Sequence, residues 1–274
     1  MLKTPDWGMM IVVYFFLGGI AGGSYFTAAI ADNFGGAKDR QVVRWGYLLS
    51  LPLVIICGLL LIADLGVPTR FLNMLRVFKF WDPMSIGAWG LGVFGLFSFV
   101  SSVLAFSQSE PMASFRRRLS LLGTIFGFFL ASYTGVLLSN TALPLWSDAR
   151  LMGALFLASG ASTGGAAISL LMFFGGESAG EGWMKVKRTD RYSMVIELVI
   201  LALFLWLVGS AAAPLLSGKF ASLFWGGLVI AGLLVPLALD FVGPRAKAVS
   251  LLSAVLVLVG GFFLRYVILM SIQT

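Results

Sequence analysis

Four polar side chains interrupt long apolar runs, and their types suit hydrogen-bond and proton chemistry. Tyr14 lies in YFFLGGIAGGSYF, Asp64 ends LLLIAD, Tyr133 stands in SYTGVLLSN beside Thr134, and Arg265 breaks GGFFLRYVIL. A phenol donates a hydrogen bond to a ligand carbonyl and passes a proton, a carboxylate accepts one, and a guanidinium holds negative charge in check. Tyr133 has a simpler reading as an interfacial anchor, so its type alone leaves both roles open. Glu197 and Asp240 are two further carboxylates in apolar surroundings. They either pair with neighbouring basic residues or, with Arg265, form part of a proton path. Gly18 and Gly22, with Gly19 and Gly23 one residue on, allow close helix packing or leave a flat-walled slot for a planar ligand below Tyr14.

The composition decides what holds these groups. The chain has 274 residues, of which 59% are hydrophobic and 11% charged. Soluble domains carry about 25% charged residues, so this surface must be covered by lipid. Histidine is absent and Cys57 is the single cysteine. A thiolate-held iron–sulfur cluster, a histidine-ligated haem and a zinc site are therefore not expected in this chain, nor is any other metal centre. The net charge of +7 falls in short loops, where membrane orientation and lipid headgroups explain it better than nucleic acid does.

About 20 apolar residues cross a bilayer, and eight such windows lie near 8–31, 44–66, 84–107, 118–139, 150–175, 192–215, 220–241 and 246–270. The fold class expected is an all-α integral membrane protein of eight transmembrane helices, arranged as two four-helix bundles. Residues 1–174 hold the first bundle and the start of the second. Residues 175–274 complete the second bundle, to which helix five (150–175) belongs structurally, and Gly175–Arg191 reads as a solvated link. Ala29-Ile30-Ala31 resembles a signal-peptidase site, but the apolar run before it is too long for a signal sequence, so a retained helix is expected. Loops after helices one, three, five and seven carry 12 Lys and Arg, against 6 on the opposite side (Lys3, Arg70, Arg76, Lys79, Arg150, Lys219). The positive-inside rule then puts both termini outside the cytoplasm. Tyr14, Asp64, Tyr133 and Arg265 all fall toward that outer side.

The long loop 66–83 carries an amphipathic segment. Arg70, Asn73, Arg76 and Lys79 spread over one half of its wheel, with Phe71, Leu72, Met74, Leu75 and Phe78 on the other. It is either a membrane-surface helix or a platform for a partner protein.

The stretches YFFLGGIAGGSYF, ADLGVPTRFLNMLRVFKFWDPMSIGAWGL, SYTGVLLSN and GGFFLRYVIL resemble the NrfD/PsrC family over most of the chain. The resemblance implies a bacterial inner-membrane anchor that binds menaquinone or ubiquinone without haem or iron–sulfur cluster of its own. It also implies a four-cluster ferredoxin-like iron–sulfur partner and a molybdopterin catalytic subunit behind it. By that resemblance Tyr133 is the quinone-contacting tyrosine and Asp64 belongs to the polar region; with Tyr14, Gly18, Thr134 and Arg265, read from their positions, they make the expected quinone site, Tyr133 and Asp64 being catalytic. Arg70, Phe71, Arg76, Lys79 and Trp81 form the docking region. Tyr14 stands where some members have histidine, a departure from the pattern. The rival readings are a secondary transporter, whose substrate would be taken up by liposomes holding this chain alone, and a passive anchor, which would bind no quinone.

Overall fold

The computed structural model describes residues 7–107, 109–139, 144–147, 151–177, 180–242 and 247–273. Lys3, Arg150 and Arg245 of the charge count, and the side chain of Arg70, lie outside the described residues. Eight helices are long and apolar enough to cross a membrane, and no strand occurs among the described residues. In chain order the helices are α1 (Met9–Phe34), α2 (Arg40–Asp64), the short α3 (Phe71–Arg76), α4 (Pro83–Leu104), α5 (Glu110–Ser139), α6 (Pro144–Ser147), α7 (Met152–Phe174), α8 (Glu181–Val208), α9 (Ala213–Leu216), α10 (Val235–Val242) and α11 (Lys247–Met270). The seventh span is α10 preceded by a π-helical run, Leu223–Leu234. Met9, Asp64, Pro83 and Met270 lie at one end of the stack, the terminal face. The arginine- and lysine-rich connections lie at the other, the basic face.

Helices α1, α2, α4 and α5 close one ring of contacts, and α7, α8, the seventh span and α11 close another. The rings share a seam where α1 meets α7 and α11, and α5 meets α7. At that seam glycine brings backbone onto backbone. A Cβ on Gly23 would overlap the Gly160 carbonyl, and one on Gly164 would overlap the backbone of Gly23 and Ser24. With no hydrophobic drive between helices in lipid, such contact is what dispersion and carbonyl packing require. The tandem glycines of α1 are thus packing positions. Gly22 meets Gly127 and Ala131 of α5, and Gly18 lies against Cys57 and Leu130.

The stretch expected to be a solvated link is mostly helix. After α7, Gly176 takes a left-handed φ of +77°, and the amides of Gly176 and Glu177 return to the carbonyls of Phe173 and Met172 (3.1 and 2.8 Å). This reverses the chain within a few residues. Glu177 accepts a hydrogen bond from Trp45 Nε1 (2.7 Å), and α8 starts at Glu181, not near residue 192. Trp183 and Val186 pack on Val42, Ile168 and Met172. At about 1.5 Å per residue the 28-residue α8 spans about 42 Å, more than the hydrocarbon core. Its polar first turns therefore extend beyond the lipid, and their composition hides the helix.

One ion pair ties the first ring at its basic end. Arg116 of α5 grips Asp32 of α1 through Nε and Nη2, both at 2.7 Å. Nη1 donates to the Leu104 carbonyl (3.0 Å), and Tyr47 of α2 donates to Asp32 (3.3 Å). Three helices meet on one buried carboxylate, and Arg116 ties in the fourth. Removing one partner of such a pair strands a charge and costs about 3–5 kcal/mol. Asp32→Ala should therefore lower unfolding stability in mixed micelles by that order, and the doubly changed Asp32→Ala/Arg116→Met protein should recover most of the loss.

Candidate functional site

Between α1, α2, α4 and α5, near the terminal face, lies a cavity of about 560 Å³. Its walls are apolar: Ile11, Phe15, Val54, Leu61, Leu91 and Leu137 among them. Phe71 and Leu75 from α3 also line it, so this short helix turns its apolar side inward as a roof. Three polar groups reach in: Tyr14, Tyr133 and Asp64. A few convergent polar groups on apolar walls are the usual construction of a small-molecule site.

Each polar group has a distinct setting. Tyr14, one turn before Gly18 on α1, is 3% exposed, and its hydroxyl makes no hydrogen bond among the described residues. Its backbone carbonyl faces the Cys57 thiol at 3.7 Å. Tyr133 is held flat against Phe129 (ring centroids 5.0 Å apart), and its hydroxyl donates to the Pro83 carbonyl at the start of α4. Pro83 is fixed there because Asp82 caps α4, accepting from the Met84 amide at 3.1 Å. Gly87 makes room for the ring, since a Cβ at that position would overlap Tyr133. Asp64 is the last residue of α2 and is exposed at the rim. The cavity thus has one hydroxyl with no hydrogen bond among the described residues, one braced hydroxyl and an exposed carboxylate at its mouth.

The expected group of six divides. Tyr14, Tyr133 and Asp64 come together, whereas Gly18 and Thr134 are buried in helix contacts and do not line the cavity. Arg265 lies elsewhere, fully buried at the seam. Its Nη1 donates to Ser159 Oγ (2.7 Å) and the Gly261 carbonyl (2.8 Å), and Nη2 to the Phe156 carbonyl (3.3 Å). Its guanidinium fills the space left by Gly19, where a Cβ would stand 2.6 Å from Nη2. A shared depth in the membrane does not put two side chains on facing helix surfaces. Of the docking residues, Phe71 faces the cavity, while Arg76, Lys79 and Trp81 are exposed on the terminal face. Phe78 and Phe80 stand beside them, 54% and 71% exposed.

Two walls of the cavity were not foreseen. On α2, Ile55 and Gly58, and on α4, Gly92 and Gly95, line a gap in which a Cβ on Gly58 or Gly92 would touch nothing within 4 Å. Ile55 and Gly92 are exposed on the outer surface of the bundle, so the cavity opens sideways as well as toward the terminal face. Glycines facing no neighbour are the signal, but which glycines lack neighbours is a tertiary property.

The family described as Polysulphide reductase, NrfD matches residues 2–274 of this chain. The chain belongs to that family. It is 32% identical to the C subunit of the polysulfide reductase of Wolinella succinogenes, covering 99% of this chain and 96% of the relative. It is 28% identical to the protein NrfD homolog of Haemophilus influenzae (98% and 96% covered) and 26% to protein NrfD of Escherichia coli (97% and 95%). Eight spans running the length of an NrfD-family chain account for most of its residues. Within it, the cavity near the terminal face is the candidate site.

The bracing of Tyr133 is open to a direct test. Gly87→Ala should cost about 1–3 kcal/mol of stability, as overpacking does. In a Tyr133→Leu background the same change should cost much less, which thermal unfolding of the four proteins in detergent would measure.

Proposed function

We propose that this chain is the quinone-reactive membrane subunit of a reductase complex, taking menaquinone or ubiquinone in the cavity between α1, α2, α4 and α5. The observation that carries the reading is the cavity's composition: two phenols and one carboxylate on walls that are otherwise apolar, with a side opening toward lipid. A quinone has a flat ring with an oxygen at each end and a long apolar tail. Its ring oxygens need hydrogen-bond donors and proton acceptors, and its tail needs a route from the bilayer. Tyr14 offers an unengaged donor. Tyr133, already donating to Pro83, offers its oxygen as an acceptor and can turn to donate. Asp64, at the wet rim, suits proton exchange with the adjoining solution. The gap lined by Gly58 and Gly92 fits the tail.

The partner follows from the surface above the roof. Arg76, Lys79, Phe78, Phe80 and Trp81 make an exposed basic and aromatic platform over the cavity. Aromatic residues and arginine are favoured in protein interfaces. An iron–sulfur subunit of the four-cluster ferredoxin type seated there would exchange electrons with quinone through the roof and pass them to or from a molybdopterin catalytic subunit. The Wolinella relative is named as one of several subunits of a polysulfide reductase, which supports this arrangement. With the basic face inward, the platform and both termini lie outside the cytoplasm of a bacterial inner membrane.

Two outcomes test the proposal. In nanodiscs, Tyr14→Phe should weaken binding of a menaquinone analogue about fivefold, the worth of about 1 kcal/mol for a net hydrogen bond. Gly92→Phe should slow binding of a long-tailed quinone while sparing a tailless one. A wild-type protein that binds neither quinone would sink the reading and leave a passive anchor. Separately, Arg76→Glu with Lys79→Glu should strip a cysteine-rich iron–sulfur protein from the chain purified in mild detergent. Retention of that protein at moderate salt would place docking elsewhere.

A further inference from the structure

One wall of the cavity is built by a residue that stands outside any helix. Trp7 lines the cavity, yet the hydrogen-bond ladder of α1 opens one residue later, where Ile11 donates to the Gly8 carbonyl (3.1 Å). Gly8 itself is extended, with φ −72° and ψ 176°. Both backbone groups of Trp7 are therefore unclaimed by the helix, and its ring has no fixed place unless something else holds it. The other end of the chain holds it. The Trp7 amide donates to Gln273 Oε1 at 2.7 Å, and the Trp7 carbonyl accepts from Gln273 Nε2 at 3.4 Å. The same Nε2 donates to the Leu269 carbonyl at 2.9 Å. That carbonyl is open because the Gln273 amide turns to Met270 (3.2 Å) where the ladder of α11 ends.

The Trp7 ring is fixed on two sides. It meets Phe15 edge-on, with centroids 5.8 Å apart and planes at 82°, and it leans on Trp146 at 5.8 Å and 39°. Trp146 is fully buried and donates from Nε1 to the Ile268 carbonyl at 3.0 Å. Both indoles are thus anchored at the end of α11, Trp146 through Ile268 and Trp7 through Gln273. A helix of the second ring shapes a cavity that the first ring encloses.

Of the eight tryptophans in the chain, Trp7 is the one that lines the cavity. It stands with Tyr14 on the α1 side. Helix α4 lies diagonally across the ring, since α1 packs on α2 and α5, and each of these packs on α4. The side gap lies between α2 and α4, so Trp7 is placed to meet the ring of a ligand and not a tail that leaves through the gap. Indole offers a large electron-rich face, which suits a flat, electron-poor ring. A side chain already held in place does not have to be ordered when the ligand arrives.

We propose that Trp7 is a ligand-contacting residue of this cavity and that Gln273 is its positioning residue, clasping the indole where a flat aromatic ring lies against it. The proposal deepens the quinone reading and rests on the cavity being a ligand site. It adds a contact on α1 and makes the fit of the cavity depend on the end of α11.

Fluorine NMR of the full chain in nanodiscs, with fluorinated tryptophan in place of tryptophan, tests it. The signal missing from Trp7→Phe is that of Trp7. Menadione, the tailless menaquinone ring, should shift that signal, and Trp7→Leu should weaken menadione binding about fivefold. Gln273→Met keeps the length of the side chain but forms none of the clasp's hydrogen bonds. It should move or broaden the Trp7 signal before any ligand is added, and weaken menadione binding about threefold. Gln273→Glu, which keeps an acceptor for the Trp7 amide, should recover part of that loss. A Trp7 signal that stays in place while menadione binds would overturn the proposal and leave the quinone reading standing. So would a Gln273→Met protein that melts earlier but binds menadione as the wild type does, since the clasp would then only join the chain ends. Naphthalene, which has the fused rings without the oxygens, separates the remaining cases. If naphthalene shifts the Trp7 signal and menadione does not bind, the quinone reading falls and the contact at Trp7 stands. If neither shifts it, the proposal is wrong.

Discussion

The contact on which the rest of this molecule depends is backbone against backbone, where Gly23 of α1 meets Gly160 and Gly164 of α7. In a bilayer, apolar side chains gain nothing by leaving lipid for one another, so association must come from close packing and from polar groups that lipid cannot satisfy. Two glycine-faced helices provide the closest packing available. They become the most buried spans of the protein, at 67% and 78% of their apolar windows. Every other span is arranged around that pair.

This central seam sorts the polar groups into two compartments. On the α2, α4 and α5 side of α1 lies the apolar cavity with its two phenols and the carboxylate at the rim. On the α8 and α11 side lie Arg265, Glu197, Asp190 and Asp240, all buried. The same stretch of α1 serves both. Tyr14 and Phe15 line the cavity, and Gly19, about one turn on, gives Arg265 its space. Phe15 and Phe156, with ring centroids 6.2 Å apart, stand between the two compartments.

The basic ends are closed differently. In the first ring, Asp32 collects Arg116 and Tyr47, and the cost of burying the ions is offset by bidentate geometry and a third hydrogen bond. In the second, Lys187 and Asp240 approach without alignment. The first arrangement is what a rigid scaffold needs. The second leaves the carboxylate oxygens of Asp190 and Asp240 without a hydrogen bond among the described residues.

The sequence by itself determined that this is an eight-span helical membrane protein, because hydropathy over about 20 residues is a local property that lipid enforces regardless of neighbours. It also marked Tyr14, Asp64 and Tyr133, since a polar group in an apolar run is conspicuous wherever the run goes. It misplaced Arg265 with them, because depth can be read from position in a span but azimuth relative to other helices cannot. Asp190 and Lys187 were hidden in a charged stretch that reads as loop, although they fall seven and ten residues before Glu197, on the same helical face. Only the tertiary structure decided which glycines press on a neighbour and which leave a gap. That depends on which helix stands opposite, and no residue records its own opposite number.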